Sequence, residues 1–375
     1  MILTEEHQMI RDALRSFAQE RLAPQAARWD KEHYFPKAEL KELAQLGAFG
    51  VAVPEQYGGA GLDYVSLALV LEEIAAGDGG ISTIISVNNC PVCSIAMMYA
   101  NEEQKERFLR PLAQGEMLGA FALTEPHTGS DASALRTTAT RDGDEYVING
   151  TKQFITSGKY GDVAIVMAVT DKAAGKEGIS AFWVPIDTPG YIVAGLEHKM
   201  GQHSSDTAQI VFENCRIPAR NLIGEEGMGY KIALSGLEGG RIGIASQSVG
   251  MARAAFEAAL SYAKERESFG KPIFEHQSVQ FRLSEMAMQI EAARQLILHA
   301  ASLKDAGVPC LKEAAMAKLF ASEMAERVVS SAMQVFGGYG YVADFPIERI
   351  YRDVRVCQIY EGTSDIQKIL IARAL

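Results

Sequence analysis

A glutamate between a tyrosine and a glycine, just before a helix start, is the strongest candidate for acid–base chemistry in this sequence. It is Glu361, in the block 360–367 with the sequence YEGTSDIQ. The glycine lets a ligand approach the backbone closely, and the helix start offers unpaired N–H donors to an anion. Shielding of the carboxyl group by Tyr360 and Ile359 would raise its pKa and suit it to act as a general base. Taken alone, such a glutamate is more often a solvated or capping residue.

Two further blocks combine small residues with hydrogen-bonding groups. In the block 121–131, FALTEPHTGSD, an apolar run leads into Thr-Glu-Pro and then into a turn that ends in Ser-Asp. Its hydroxyls and free backbone N–H groups are of the kind that bind the edge of a planar heteroaromatic ring or a carbonyl group. In the block 334–338, QVFGG, a helix end permits close approach to the backbone. The simpler interpretations are a turn after a strand for the first block and a helix C-cap for the second.

Motifs for metal, redox, nucleotide and esterase sites are incomplete or missing. Cys90 and Cys93 form a CxxC pair without a second ligand pair or a βαβ context, so two buried cysteines are expected there. His198 and His203 are five residues apart, which does not fit adjacent ligands on a helix, and we predict no metal site. No GxGxxG follows a strand, and the sequence has neither a P-loop nor a GxSxG elbow.

Composition is typical of a globular protein. The length of 375 residues predicts two or three domains, and 48% hydrophobic residues suffice for a core without disulfides or metals. The net charge of -11 disfavours nucleic acid as a partner, because an acidic surface repels phosphates. Five cysteines are too few, and odd in number, for a disulfide framework, which indicates a reducing compartment.

Targeting and membrane signals are weak. Acidic residues, Glu5 and Glu6, appear within the first six positions, and the sequence shows no basic or apolar leader. We therefore expect a cytoplasmic protein, or a mitochondrial-matrix protein if this is a mature eukaryotic chain. Residues 79–101 carry no charge, but Pro91 and the pair Asn88-Asn89 would make a membrane-spanning helix costly. We therefore expect a buried helix with a broken start and no association with a membrane.

The elements that must position these blocks begin with a helical N-terminal domain over 1–119. An i, i+3, i+4 apolar rhythm extends from Thr4 to Pro24 and predicts the first helix. Later helices are expected near 38–46, 64–75, 91–100 and 102–114, with a loop at 54–61.

The middle of the chain, 120–226, predicts an antiparallel β-sandwich or barrel domain. The dipeptides Asp142-Gly143 and Asn149-Gly150 are hairpin-turn signals on either side of the β-type run 145–148. Further strands are expected near 163–169, 179–185 and 209–212.

The remainder, 227–375, predicts a four-helix bundle. One long helix is expected over about 228–266, and apolar steps of four and three residues from Val279 to Ala300 indicate a heptad-like seam. A third helix over about 312–336 should stop at Gly337-Gly338, and a last one should begin near 363–365. The fold class is therefore mainly α, with a β domain between two helical ones.

Together these blocks resemble the acyl-CoA dehydrogenase family, and the likeness runs along nearly the whole chain. Each motif is modest alone, but their joint order and spacing are specific. The matching motifs are PEQYGG at 54–59, QKE at 104–106, TEP to GSD at 124–131, NGTK at 149–152, RESFGKP at 266–272, QVFGG at 334–338 and YEGT at 360–363.

The resemblance implies non-covalently bound FAD and the α,β-dehydrogenation of an acyl-CoA thioester. It further implies transfer of electrons to an electron-transfer flavoprotein and a homotetramer assembled as a pair of dimers. The segment 239–245, GGRIGIA, resembles short-chain members, which favours short or branched acyl groups. Two alternatives stay open: a related flavin oxidase that reduces oxygen, and a non-catalytic binding scaffold of the same fold.

Site residues carry over by motif. Glu361 resembles the catalytic base that removes the α-proton, and the resemblance places the substrate carbonyl on its backbone N–H and on a ribityl hydroxyl of FAD. The residues that match FAD contacts, some from a neighbouring subunit, are Phe121, Leu123, Thr124, Gly129, Ser130, Phe154, Ile155, Thr156, Arg266, Phe269, Gln277, Gln334, Val335, Gly337, Gly338, Thr363, Ser364 and Asp365. The residues that match substrate contacts are Ser130, Glu238, Gly240, Arg241, Tyr360 and Gly362.

Two positions depart from the pattern of some members. Some relatives carry the base just before the matching arginine, where this chain has Gly240, so Glu361 is the remaining candidate. The usual small residues after Thr-Glu-Pro are replaced by His127 and Thr128, which changes the surface near the cofactor but retains Thr124 and Ser130.

Overall fold

The computed structural model describes residues 2–375 and places a sheet between two helical regions. This confirms the predicted fold class. The helices before the sheet are α1 Glu5–Phe17, α2 Ala23–Glu32, α3 Lys37–Gln45, α4 Tyr64–Gly77, α5 Gly79–Val87, α6 Ser94–Tyr99, α7 Glu102–Gln104 and α8 Arg110–Ala113. Wide π-type turns at Ala18–Leu22, Asn88–Cys93 and Lys105–Leu109 join several of them.

The first helix continues beyond the point where the apolar rhythm ends. Thr4 caps α1 by accepting a hydrogen bond from the backbone of His7, whose ring in turn accepts from the Thr4 backbone. A π turn then carries the chain into α2, where Pro24 lies in the first turn.

The uncharged segment lies inside the protein. Among the described residues, Gly79–Tyr99 is the one helical stretch long and apolar enough to cross a membrane, and 78% of its most apolar window is buried. The helix breaks at Cys90, whose backbone is extended. The expectation of a buried, interrupted helix is confirmed, and burial within the protein accounts for its apolar composition.

The sheet is mixed but mostly antiparallel. Its strands are β1 Gly119–Ala122, β2 Thr138–Asp142, β3 Glu145–Thr156, β4 Val163–Val169, β5 Ile179–Pro185, β6 Tyr191–Leu196, β7 Thr207–Pro218 and β8 Leu222–Ile223. The order is β6-β7-β3-β2-β4-β5-β8, and β1 pairs with β4. The pairs β1–β4 and β2–β4 are parallel. One face covers a core with Tyr146 and Phe182, and the other buries Trp183 against helices.

One predicted turn is wrong. Asp142-Gly143 does join β2 to β3, with Gly143 at a φ of 62°. Asn149-Gly150 instead lies within β3, where the register with β7 shifts between Ile148 and Gly150. Gly150 has a φ of 147°, and an added Cβ there would lie 2.6 Å from the backbone of Thr137. The dipeptide therefore marks a β-bulge, which uses glycine for the same reason as a turn does.

The last part of the chain is a helical bundle. Its helices are α9 Gly229–Glu265, α10 Gln277–Asp305, α11 Leu311–Phe336, α12 Ile347–Val354 and α13 Ser364–Arg373, with a two-strand hairpin of β9 Glu267–Ser268 and β10 Lys271–Pro272 after α9. The predicted seam on α10 is buried from Leu283 to Ala300. Gly337, at a φ of 60°, ends α11. The N-terminal helix α4 packs into the same core through Val65 and Leu69, which the sequence pattern did not predict.

Candidate active site

A left-handed turn presents Glu361 between α12 and α13. Glu361 and Gly362 have φ values of 55° and 88°, a conformation that costs energy for a glutamate. Two side chains fix the turn by hydrogen bonds to its backbone carbonyl oxygens. Gln367 Nε2 donates to the carbonyl oxygens of Glu361 and Gly362 over 3.2 and 2.8 Å, and Lys318 Nζ donates to Gly362 O over 2.8 Å. The hydroxyl of Thr363 caps α13 by accepting from Ile366 N.

The carboxyl group of Glu361 is buried, and one of its oxygen atoms has no hydrogen-bond partner among the described residues. Burial raises its pKa to about 7, against the pull of the positive charges of Arg241 and Lys318. Oε2 has no hydrogen-bond partner within residues 2–375. The group packs against α9 at Gly240, where an added Cβ would lie 2.8 Å from the carboxyl carbon. Only glycine leaves room for the carboxyl group there, and a buried carboxyl group that is half ionised near neutral pH suits a general base.

An arginine with free donors lies beside the carboxyl group. Arg241 is 4% exposed, and its Nε and Nη1 have no partner among the described residues. Burial lowers its pKa, while the charges of Glu361 and Glu238 oppose that shift. Glu238 is half-buried, and its carboxylate pairs with Lys304 over 3.0 Å. Of the predicted substrate contacts, the structure therefore brings Glu238, Gly240 and Arg241 close to the Glu361 turn.

A polar network fixes the residue before the base. The Tyr360 hydroxyl donates to Gln247 Oε1 over 2.9 Å, and Gln247 Nε2 donates to Thr83 Oγ1 over 2.5 Å. Thr83 donates to Gln202 Oε1 over 2.7 Å. These side chains come from α5, the β6–β7 loop and α9, so the network ties all three parts of the chain to Tyr360. Its hydroxyl is therefore occupied by protein partners.

The block 121–131 is held by a buried ion pair. Lys152 Nζ lies 2.8 Å from Glu125 Oε1, with side chains 0% and 2% exposed. The Glu125 carboxylate also accepts from the backbone N–H groups of Arg136 and Thr137, over 2.7 and 3.0 Å. Lys152 donates further to Leu123 O over 3.0 Å. The pair fixes the base of the loop, while its tip, Gly129 and Ser130, stays exposed.

The residues predicted to lie along the flavin ring differ in how far their side chains are exposed. Leu123 belongs to the buried cluster that contains Ile95 and Ile232 at the start of α9. The side chains of Leu123 and Ile155 are 8% and 2% exposed. Phe154, in contrast, has a φ of 60° and is 60% exposed.

A second group of predicted FAD residues lies far from the first. The start of this group, Arg266, follows the end of α9, roughly 38 Å along the helix from Gly240 at about 1.5 Å per residue. Arg266 lies over the ring of Tyr339, which places the end of α11 beside it. The exposed members are Arg266, Phe269, Gln277, Gln334, Gly337 and Gly338. Val335 is 6% exposed and lies in the bundle core.

The two cysteines of the CxxC pair are buried, as predicted, and His203 has ordinary packing partners. All five cysteines are buried and free, Cys90 and Cys93 among them. Within the described residues, no group of three or more histidine, cysteine, aspartate or glutamate side chains is placed to hold a metal ion. His203 instead stacks on His33 and approaches Asp30 over 2.9 Å.

Comparison with known proteins decides the family. The models of the acyl-CoA dehydrogenase N-terminal, middle and C-terminal domains match residues 4–116, 120–215 and 227–375. The human short-chain specific acyl-CoA dehydrogenase, mitochondrial, is 48% identical over 370 residues, which cover 99% of this chain and 90% of that protein. The chain belongs to the acyl-CoA dehydrogenase family. It is an oxidoreductase that acts on CH–CH groups.

Two solved structures are similar over their whole length. Butyryl-CoA dehydrogenase from Megasphaera elsdenii has a TM-score of 0.97 and 43% identity, covering 100% of this chain and 99% of that one. A chain from a structure described as the electron transferring flavoprotein of Acidaminococcus fermentans has a TM-score of 0.98 and 46% identity, covering 100% and 98%.

The residues of this dehydrogenase fit the FAD on which the family depends. Beside the base, Arg241 and Ser364 have buried polar atoms without partners in the described chain, so donors are available to a polar ligand. Thr124 is half-buried and Phe154 exposed, so a hydroxyl and an apolar surface are accessible from the sheet. An isoalloxazine ring needs this combination of apolar faces and edge donors.

Sequence reasoning gave no role to four residues of the site: Lys318, Gln367, Glu125 and Lys152. A signal existed for Lys318. It follows Ala314 by four residues and precedes Ala321 by three, so a lysine occupies the buried stripe of α11. Glu125 and Lys152 were visible only as parts of matching motifs, because their pairing joins the loop after β1 to strand β3.

Proposed function

We propose that this dehydrogenase oxidises a short-chain acyl-CoA thioester to the trans-2-enoyl-CoA, with Glu361 as the base that removes the α-proton. The observation that carries the proposal is the buried carboxyl group of Glu361, which lies against Gly240 without a hydrogen-bond partner for Oε2 among the described residues. A carboxyl group without a protein partner is free to take a proton from a ligand that binds next to it.

The proton and the two electrons leave from neighbouring carbons. Glu361 Oε2 takes the α-proton as the C–H bond breaks. Bound FAD would supply the oxidising chemistry, as the two-electron acceptor for the hydride lost from the β-carbon. The protein contributes alignment of the base, exclusion of water and stabilisation of negative charge on the thioester oxygen.

Stabilisation of the thioester oxygen requires fixed donors. The backbone N–H of Glu361 donates to no other group of the described chain. The hydrogen bonds from Lys318 and Gln367 to Gly362 O, together with the left-handed turn, hold this N–H in a fixed direction. We propose that it donates to the negative charge that develops on the thioester oxygen. Loss of one such donor typically costs about 3–4 kcal/mol of transition-state stabilisation.

Close packing of α9 supports a short acyl group. A Cβ at Gly239 would lie 2.9 Å from Cys90 Sγ, and one at Gly236 would lie 2.8 Å from Ile95 Cδ1. At these two glycines the backbone of α9 therefore packs directly against side chains of the segment 90–95. A long acyl chain has little space between these elements, which agrees with the similarity to short-chain and butyryl-CoA relatives.

Assembly into a homotetramer would complete the cofactor site. Arg266 and Gln334 lie near the far end of α9 and are exposed, well beyond the reach of a flavin dinucleotide placed at Glu361. A second copy of the chain can supply these residues to the first. We propose this arrangement because it would let both groups contact one FAD, and the pair of dimers is what the family resemblance implies.

An electron-transfer flavoprotein is the proposed electron acceptor. The support is the similarity to a chain from the electron transferring flavoprotein structure of Acidaminococcus fermentans. Reoxidation of the reduced enzyme distinguishes this acceptor from oxygen. Fast reoxidation by an electron-transfer flavoprotein and slow reoxidation in air are expected, whereas the reverse would indicate an oxidase.

Anaerobic titration of the purified holoenzyme tests the substrate class. Butyryl-, isobutyryl-, octanoyl- and palmitoyl-CoA are added separately, and flavin absorbance is recorded. Rapid bleaching with butyryl- or isobutyryl-CoA and slow bleaching with palmitoyl-CoA are expected. Preference for palmitoyl-CoA would overturn the assignment to short chains, and absence of bleaching with every thioester would overturn the proposed reaction.

A further inference from the structure

A lysine is buried where a helix otherwise carries small apolar side chains. Lys318 on α11 is 0% exposed, and its neighbours on the same face, Ala314 and Ala321, are also buried. Its Nζ donates to the carbonyl oxygen of Gly362 over 2.8 Å, its one acceptor in the described chain. A buried ammonium group is costly, and one hydrogen bond to a neutral carbonyl does not offset that cost. Packing alone therefore does not explain this residue.

The carbonyl that it binds belongs to the turn that presents the base. Gly362 directly follows Glu361, and both have left-handed backbone conformations. Gln367 Nε2 donates to the same oxygen over 2.8 Å. The carbonyl oxygen of Gly362 thus accepts from one charged donor, Lys318, and from one neutral donor, Gln367. Removing each donor in turn separates the effect of the charge from that of the hydrogen bond.

Lys318 faces three other groups that carry or acquire charge. They are Glu361, Arg241 and Cys357. Burial lowers the pKa of Lys318 to about 8, so the side chain is mostly protonated at neutral pH. Its positive charge and that of Arg241 both favour the ionised form of Glu361, whereas burial of the carboxyl group opposes it.

We infer that Lys318 is a positioning residue for Glu361, which fixes the left-handed turn through Gly362 and keeps the carboxyl group ionisable at neutral pH. The inference rests on the proposed role of Glu361 as the base. Lys318 does not touch the substrate in this arrangement. It acts through the direction and the charge state of Glu361.

The test compares Lys318→Met with Gln367→Met. Each variant removes one donor to Gly362 O, but only the first removes a charge. Lys318→Arg retains the charge and serves as the conservative variant. FAD content and melting temperature establish that each purified variant is folded. Protonation of Glu361 is followed without substrate by difference infrared spectroscopy of its carboxyl band, assigned with Glu361→Gln.

The titration midpoint of Glu361 should rise by about one unit or more in Lys318→Met, because a nearby positive charge is lost. It should stay within about 0.3 units of wild type in Gln367→Met and in Lys318→Arg. The rate of flavin reduction by butyryl-CoA should fall about fivefold at pH 7 in Lys318→Met and recover near pH 9.5, as expected for a one-unit shift from about 7.

An unchanged midpoint in Lys318→Met would overturn the inference, as would equal shifts in Lys318→Met and Gln367→Met, because the second result indicates loosening of the turn alone. The infrared titration needs no turnover, so it tests Lys318 independently of the reaction. Failure of the wild-type flavin to be reduced by any acyl-CoA would instead refute the proposed function.

Discussion

The carboxyl group of Glu361 occupies the space that a side chain at Gly240 would take. A Cβ added at Gly240 would lie 2.8 Å from the carboxyl carbon of Glu361, closer than ordinary van der Waals contact. The two residues come from α9 and from the turn before α13, so their contact depends on the packing of the bundle. The absence of a Cβ at Gly240 is thus a requirement for the observed position of the base.

Substitution Gly240→Ala should displace Glu361 and lower the rate of flavin reduction by about 10²-fold, because misplacement of a catalytic group by about 1 Å has effects of this size. Stopped-flow reduction with butyryl-CoA measures the effect. Gly195→Ala is the control, since an added Cβ at Gly195 meets nothing within 4 Å. Wild-type rates in Gly240→Ala would show that the carboxyl group does not depend on this contact.

The pH dependence of the free enzyme should report Glu361. With a pKa of about 7, the base is protonated below that pH, so kcat/KM for butyryl-CoA should rise through pH 7 and level off above pH 8. Every active variant that still uses Glu361 as the base should show the same fall in kcat/KM below pH 7. A limb near pH 4.5, the ordinary range of a glutamate, would contradict the burial described for this group.

The same shift predicts a pH-dependent stability. Because the pKa of Glu361 in the folded apoprotein lies above its unfolded value, the contribution of this group is present at low pH and is lost as pH rises from about 4.5 to 7. Glu361→Gln should therefore be more stable than wild type at pH 8, by up to about 3 kcal/mol, and similar at pH 4. Urea denaturation of the two apoproteins at both pH values measures the difference.

The buried pair of Lys152 and Glu125 should be strongly coupled to folding. Lys152→Met leaves the Glu125 carboxylate buried without its cation, and we expect a loss of about 3–5 kcal/mol in the free energy of unfolding. Chemical denaturation measures the loss. Arg216→Met, which removes an exposed pair with Asp142, should cost no more than about 1 kcal/mol. Similar costs for the two substitutions would contradict the role of the buried pair.

Phe269 should affect assembly rather than the folding of one chain. Its side chain is 95% exposed, so Phe269→Asp should leave the structure of the chain intact. If a second copy covers this end of α9, the charge should lower both the oligomeric mass in sedimentation velocity and the FAD retained after gel filtration. Unchanged mass and FAD content would place the assembly interface elsewhere.

Short sequence patterns predict most helices and strands, because the formation of these elements depends largely on residues that are neighbours in the chain. The sequence predicts α9 over about 228–266, and the helix spans Gly229–Glu265. The bulge at Gly150 has the sequence of a turn, since glycine serves both and only the pairing of β3 with β7 distinguishes them. The block around Glu361 is also visible locally, as an unusual combination of residue types.

Contacts between distant segments could not be predicted from the sequence. The hydrogen bond from Lys318 to Gly362 joins residues 44 positions apart, and the ion pair of Lys152 and Glu125 joins residues 27 positions apart. Neither spacing has a local signature, because each depends on how helices and strands pack. The free donors of Arg241 likewise follow from burial in the folded chain.

Anaerobic reduction of Glu361→Gln by butyryl-CoA tests the central claim most directly. Glutamine preserves the shape of the side chain but cannot accept the α-proton. We predict a yellow holoenzyme with normal FAD content and a reduction rate at least about 10³-fold below that of wild type. Reduction at a rate within a few fold of wild type would contradict the assignment of Glu361 as the base.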